Sequence, residues 1–394
     1  MNAYATGLAP AAPLSSPVNR AEIFARANRF DRPTLVVDLD EVARRFRALR
    51  RGLGRAAIHY AVKANPAREL VERLIGEGAH FDCASRGEIE LCLGLGARPE
   101  TISFGNTIKK PADIAFAHHA GVALFAADAE EELEKIAENA PGAEVYIRLL
   151  VAESEADWPL SRKFGVSPSA ALPLMAYAVQ LGLRPVGISF HVGSQTRRAA
   201  MWRPALDVFA AVWEDARGAG FPLDLVNIGG GFPAEYGAGA EAISAPEVYA
   251  AEVMEMVEAR FPGARRVIAE PGRGLVAEAG VIAAEVVLVS RKSADDLHRW
   301  VYLDIGRFSG LAETEGEAIR YRVSTDRDHG PFGPCVVAGP SCDSADVMYE
   351  KRPMELPLDL RAGDRVFIHA TGAYTSTYSS VGFNGFPPLD VICV

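Results

Sequence analysis

Cysteine is scarce. Five occur in 394 residues, at Cys83, Cys92, Cys335, Cys342 and Cys393. None forms a C-x-x-C pair, which removes the common zinc and thiol-redox readings, and an odd, widely spaced set is no disulfide framework. Reduced thiols in a cytoplasmic setting are expected. No apolar run reaches the roughly 18 residues of a membrane span. The first twenty residues carry no basic stretch ahead of an apolar block, so no signal peptide is read there. Basic excess is also missing, since 41 Lys and Arg against 51 Asp and Glu leave a net charge of −10. A surface that neutralises many phosphates needs the opposite balance, so neither nucleic acid nor membrane is expected as a partner. No His, Asp, Glu or Cys group has metal-ligand spacing, and no G-x-S-x-G element supports a serine hydrolase.

Length and rhythm are what the chain does have. At 394 residues, 49% hydrophobic and 23% charged, it is an ordinary globular composition with room for two or three domains. Eight short apolar runs lie at 58–62, 80–84, 101–105, 122–126, 145–149, 186–191, 225–229 and 267–270. Helix-compatible stretches separate them. Strand-then-helix alternation points to parallel βα units, and eight units suit a closed (β/α)8 TIM-like barrel of the α/β class. An open doubly wound sheet is the alternative on rhythm alone. Useful side chains at the strand ends favour the barrel, because a barrel gathers all its ends at one mouth. These are Lys63, Asp82, Arg148, His191, Gly229 to Gly231, and Glu270. After Arg273 the pattern changes to strands and turns. The expected organisation is an N-terminal arm over 1–32, the barrel over 33–275 and a mainly-β domain over 276–394. The run at 35–38 fits either domain.

Six segments carry chemistry. Tyr60-Ala61-Val62-Lys63-Ala64-Asn65 ends an apolar run in a lysine. Burial depresses a lysine pKa and makes the amine a nucleophile for carbonyls. Asn227 to Pro233 contains Gly229-Gly230-Gly231, whose backbone can approach an anion closely. Glu270-Pro271-Gly272-Arg273 sets an acid able to pair with a heteroaromatic nitrogen beside an arginine able to clamp a phosphate. His191 ends a strand and could stack on a planar ring, or be an ordinary core histidine. Cys342 lies in a polar, acidic turn, a plausible place for a proton donor, although free cysteines are usually small buried hydrophobes. Gly372-Ala373-Tyr374-Thr375 and Phe383-Asn384-Gly385-Phe386 suit a site wall, or simple packing.

In order, YAVKAN, FDCAS, SRKFG, FHVGSQ, IGGGFP, EPGR, GPSCDSADVM, GAYT and FNGF resemble the barrel-fold (alanine-racemase-like) pyridoxal-phosphate decarboxylases of basic amino acids. The resemblance runs from about Leu35 to Phe386 and is strongest to ornithine decarboxylases. It implies pyridoxal 5'-phosphate as cofactor, bound covalently by Lys63. It implies Glu270 against the ring nitrogen, His191 on the ring face, and Asp82 near Lys63 with Arg148 paired to Asp82. The phosphate would meet Ser194, Gly230, Gly231, Arg273 and Tyr374, beside Pro271 and Gly272. Cys342 would return a proton to the substrate. Catalysis would then rest on Lys63, Cys342, His191 and Glu270.

The resemblance also implies a homodimer whose Cys342 and Asp343 complete the neighbour's site, with a basic amino acid as substrate. Asp343, Glu313 and Phe383 would contact that substrate, with Glu317 as the alternate to Glu313. The implied reaction is L-ornithine to putrescine and CO2, in polyamine biosynthesis, with L-lysine to cadaverine also open. Diaminopimelate or carboxynorspermidine decarboxylation would want an arginine for a distal carboxylate, and Arg307 is the nearby candidate. A catalytically inactive regulatory homologue is the alternative of another class.

Overall fold

The computed structural model describes residues 19–151, 156, 163–237 and 242–394. Strand β1 is Thr34–Val37. Eight parallel strands then close into a barrel: β2 Ala57–Ala61, β3 His80–Cys83, β4 Ile102–Phe104, β5 Leu124–Ala127, β6 Glu144–Arg148, β7 Arg184–Ser189, β8 Leu225–Asn227 and β9 Arg266–Ala269. Closure is made by β2 pairing with β9, Ala57 opposite Ile268. The sheet has no open edge, which excludes the doubly wound alternative. The eighth-strand count and order match the sequence expectation. The boundaries differ locally: β5 starts at Leu124, and β2 stops at Ala61, leaving Lys63 in the one-turn helix Val62–Ala64.

Helices between the strands form the outer ring. The helix Arg86–Gly94 shows how local sequence starts one. Ser85 caps it by accepting from the Glu88 N–H, while the Glu88 carboxylate accepts from the Ala84 N–H at 2.7 Å. This Ser-x-x-Glu arrangement, a variant of the capping box reaching one residue further back, satisfies backbone donors where the chain enters the helix just after β3. The amphipathic helix Leu39–Leu53, capped by Asp38, lies against the helix Pro246–Arg260 and buries Phe46, Leu49 and Leu53.

The second unit is a mixed β-sheet. It holds β10 Gly280–Ser290, β11 Arg299–Leu303, β12 Val323–Thr325, β13 Phe332–Ala338, β14 Val347–Met348, β15 Met354–Pro357, β16 Arg365–His369 and β17 Asp390–Cys393. Strand β1 belongs here and not to the barrel, pairing antiparallel with β10 and parallel with β17. The barrel boundary expected at residue 33 therefore moves to Leu39, where the first barrel-side helix begins. Buried on all four positions, three of them apolar, β1 lies between two strands that come from the other end of the chain. The expected N-terminal arm contains the helix Arg20–Ala27, whose Ala21 and Ala25 pack on Val36, Val281 and Phe367. Residues 1–18, and Ser161 and Arg162 of the SRKFG segment, lie outside the described residues.

Candidate active site

The C-terminal ends of the barrel strands bring together most of the residues singled out in the sequence. Lys63 stands after β2 with 46% of its side chain exposed, and its Nζ donates to Asp82 Oδ2 at 2.8 Å. Asp82, at 2% exposure on β3, is wedged against Gly105. A Cβ at Gly105 would fall 1.8 Å from Asp82 Oδ1, so only glycine leaves room for that carboxylate. Partial desolvation pulls the Lys63 ammonium down, but the Asp82 carboxylate, with the Tyr374 phenol and Glu270, outweighs it. The amine is held protonated above its ordinary range, against the depression that burial alone leads one to expect. Asp82 Oδ1 is buried with no hydrogen-bond partner.

Glu270 follows β9. Its Oε1 accepts from Asn227 Nδ2 at 2.5 Å, and its backbone N–H donates to Gly229 O at 2.8 Å. Burial, reinforced by the Asp82 charge, pushes the Glu270 carboxyl up to about 7. A carboxylate in that condition gains from a cation placed beside it. His191 follows β7, and burial, with Arg148 and Lys63 as like charges, takes its imidazole down to about 3. Its Nδ1 accepts from the Gly193 N–H at 3.0 Å, so the neutral ring carries its proton on Nε2. An aromatic cluster backs this corner: Phe190 stacks on Phe209 at 4.3 Å, and Trp202 meets Phe232 at 5.3 Å. Such pairs stabilise by about 0.5–1.5 kcal/mol each beyond their buried area.

Gly229 and Gly231 both take left-handed φ values, 68° and 115°. At Gly230 a Cβ would stand 3.0 Å from His191 Nε2 and 2.9 Å from Glu270 O, so this turn has no room for a side chain. Gly272 is similarly close to Ala64 and to the Tyr374 hydroxyl. Tyr374 is drawn to the mouth by its own N–H, which donates to Ala64 O at 2.9 Å, and by Asn65 Nδ2 donating to Gly372 O. Its ring lies 5.0 Å from the Arg273 guanidinium carbon. Arg273 is 3% exposed and donates from Nε to Ser194 Oγ at 3.0 Å.

Three expectations are corrected. Arg148 does not pair with Asp82, whose carboxylate is taken by Lys63; the Arg148 guanidinium instead lies 5.0 Å from the Phe164 ring. Glu313 does not present a carboxylate for a substrate amine. It is 3% exposed, and both its oxygens accept from Arg273, at 2.6 and 2.8 Å. Glu317, the alternate, faces away into the β-domain, where it accepts from the Lys351 N–H and pairs with Arg352 at 3.1 Å.

Cys342, Asp343 and Phe383 are grouped apart from the barrel mouth. Cys342 and Asp343 are exposed, and the Cys342 N–H donates to Asn384 Oδ1 at 2.9 Å. Phe383 tilts against Phe308 at 4.8 Å. The turn is braced by buried Asp346, which accepts from Ser341 and from the Arg307 N–H. Among the described residues, no polar contact of Cys342 or Asp343 reaches Lys63, Asp82 or Glu270.

Reasoning from sequence missed Gly105, Asn227 and Tyr236. Asn227 sits just before the glycine turn, and its position at a strand end was the available signal. Nothing local marks Gly105 or Tyr236.

The geometry suits a phosphorylated, aldehyde-bearing heteroaromatic ring. It offers an amine, a neutral imidazole, a buried carboxyl in want of a cation, and a side-chain-free turn beside an arginine and a serine. The comparisons with known proteins agree. The family profile described as pyridoxal-dependent decarboxylase, pyridoxal binding domain, matches residues 39–277. The chain belongs to this family of pyridoxal-phosphate-dependent decarboxylases.

It is 34% identical to the lysine/ornithine decarboxylase of Selenomonas ruminantium over 373 residues, 94% of this chain and 91% of that protein. It is 34% identical to the ornithine decarboxylase of Caenorhabditis elegans over 372 residues, 90% and 86% of the two. The SrLDC structure with PLP and cadaverine superposes with a TM-score of 0.85 at 31% identity, covering 96% of this chain and 94% of that one. The arginine decarboxylase of a Paramecium bursaria Chlorella virus, bound to agmatine, gives 0.84 at 27% identity, with 95% and 100% covered.

Proposed function

We propose that this protein decarboxylates L-ornithine to putrescine and CO2, and L-lysine to cadaverine as a second reaction. The single observation that carries the choice of a diamino acid concerns Arg307. Its Nη1 donates to Ala345 O at 2.7 Å, which ties the guanidinium to the backbone of the Cys342 turn. Held there, Arg307 is a poor receptor for a distal carboxylate, which disfavours diaminopimelate and carboxynorspermidine. Asp343 is an exposed acid suited to a distal ammonium. One methylene separates ornithine from lysine, worth about 1–3 kcal/mol in a pocket, so dual use is physically easy.

Bound pyridoxal phosphate supplies the electron sink for the pair left by departing CO2. The chain's residues do the rest. Lys63 anchors the cofactor, and Asp82 holds the proton at Lys63 Nζ. Glu270 would pair with the ring nitrogen and favour its protonated form, and the neutral His191 ring would lie on one face. Gly230 and Gly231 N–H groups, Ser194, Tyr374 and Arg273 would hold the phosphate, backed by Pro271 and Gly272. Cys342 Sγ gives its proton to the substrate α-carbon. Cys342, Asp343 and Phe383 come from the second subunit of a two-fold dimer in this reading. Val381, Phe383 and Phe386, exposed at 85%, 37% and 38%, flank Asn384, whose Oδ1 accepts from the Cys342 N–H, and would be covered there.

The test is CO2 release by the loaded protein from ornithine, lysine, arginine and diaminopimelate. Ornithine should exceed diaminopimelate by at least an order of magnitude. The reverse order would overturn the substrate assignment.

A further inference from the structure

The Arg273–Glu313 pair has a consequence for how the phosphate is held. A guanidinium has five N–H donors. Here four are engaged: Nε on Ser194, one Nη1 proton on Tyr236 Oη at 2.6 Å, and one proton from each Nη on Glu313. A single Nη2 proton is left for a phosphate oxygen. Ser194 Oγ accepts from Arg273, so its own proton is directed away from the guanidinium and towards an acceptor. Glu313 lies in the turn Ala312–Glu317 of the β-domain, while Arg273 opens the helix Arg273–Val276 at the end of the barrel. Both are buried to 3% exposure, so the pair is shielded from solvent and ties the two units together.

We infer that Glu313 is a positioning residue of the phosphate site. It serves as the counter-anion of Arg273 in the unloaded chain and lowers the affinity of the loaded site for phosphate. This rests on the placing of the cofactor phosphate at Arg273 and Ser194. The physical argument is charge balance in a buried place. An isolated buried guanidinium is costly, and a chain without cofactor must still fold around it. Glu313 supplies the missing charge from the β-domain. A phosphate that arrives later meets a guanidinium already neutralised, and its hold rests on the glycine N–H groups, the Ser194 hydroxyl and one arginine proton. By linkage, what Glu313 gives to the unloaded site it takes from phosphate binding.

Glu313→Gln removes the charge and keeps the shape. In the full chain stripped of cofactor, it should lower the melting temperature. It should also tighten binding of both pyridoxal phosphate and inorganic phosphate by about tenfold. Pyridoxal, which has no phosphate, should bind as it does to the wild type. Phosphate affinity that is unchanged or weaker would overturn the inference, as would a raised KM with unchanged phosphate binding, which is the mark of an amine contact. Should Glu313→Gln fail to fold, Glu313→Asp reads the same effect at smaller size. Its carboxylate stops one methylene short of Arg273, so phosphate should tighten by a few fold; no change would overturn the inference. Wild-type protein that binds pyridoxal no less tightly than pyridoxal phosphate would instead overturn the placing of the phosphate itself.

Discussion

Single residues at the barrel mouth are set by charge and space together. Glycine at 105 exists for Asp82, since the nearest approach of a Cβ to Oδ1 would be 1.8 Å. Gly105→Ala should push the carboxylate off Lys63 and lower kcat/KM by about a hundredfold, the usual cost of a misplacement near 1 Å. Melting curves should show a folded protein, and normal turnover would remove Asp82 from its role. Cys342 is a different case, exposed and held only through its backbone. Cys342→Ala should leave stability within about 0.5 kcal/mol, as for most surface substitutions. CO2 release should fall by about a hundredfold or more, the contribution of a positioned acid, or yield wrongly protonated product. Unchanged rate and product would end the donor assignment. That Lys63, Glu270, His191 and Arg273 stand at the barrel mouth was legible from the sequence, because each ends or follows an apolar run. Glu313 was placed on the substrate because a glutamate among other acids in a turn says nothing of the buried arginine that takes it.

At the scale of elements, the eight barrel strands were legible because parallel strands read as short apolar runs bounded by turns. Their ends were less so. The apolar pattern carries through Val62, while hydrogen bonding stops at Ala61 and a tight turn lifts Lys63 into the mouth. Strand β1 was undecidable in principle. Thr34-Leu35-Val36-Val37 is buried throughout, and no local signal names a partner more than 240 residues away in β10 or in β17. The same non-local pairing explains why the Arg148–Asp82 bond failed. Which of two cations reaches Asp82 depends on β2 and β3 lying side by side, Ala61 opposite Asp82, with Lys63 two residues on.

For the whole molecule, pH is the natural probe of what the fold buries. His59, His191 and His369 are each taken down to about 3, first by burial and then by neighbouring positive charge. A histidine with a depressed folded pKa contributes stability that is present above about 6.5, its unfolded value, and is lost as pH falls towards the folded value. His59→Gln cannot take up a proton in the unfolded chain. Its melting temperature should therefore fall less steeply than the wild type's between pH 6.5 and 4.5, whatever its starting level. An equally steep fall would mean that His59 is not held neutral. In the proposed function Lys63, at the mouth of this barrel, carries the cofactor. The most direct measurement is the visible absorption spectrum of the purified protein after incubation with pyridoxal phosphate and removal of excess. Wild type should keep a long-wavelength band that moves with pH. Lys63→Ala, folded by circular dichroism, should lose it. A band of wild-type position and strength in Lys63→Ala would contradict the account.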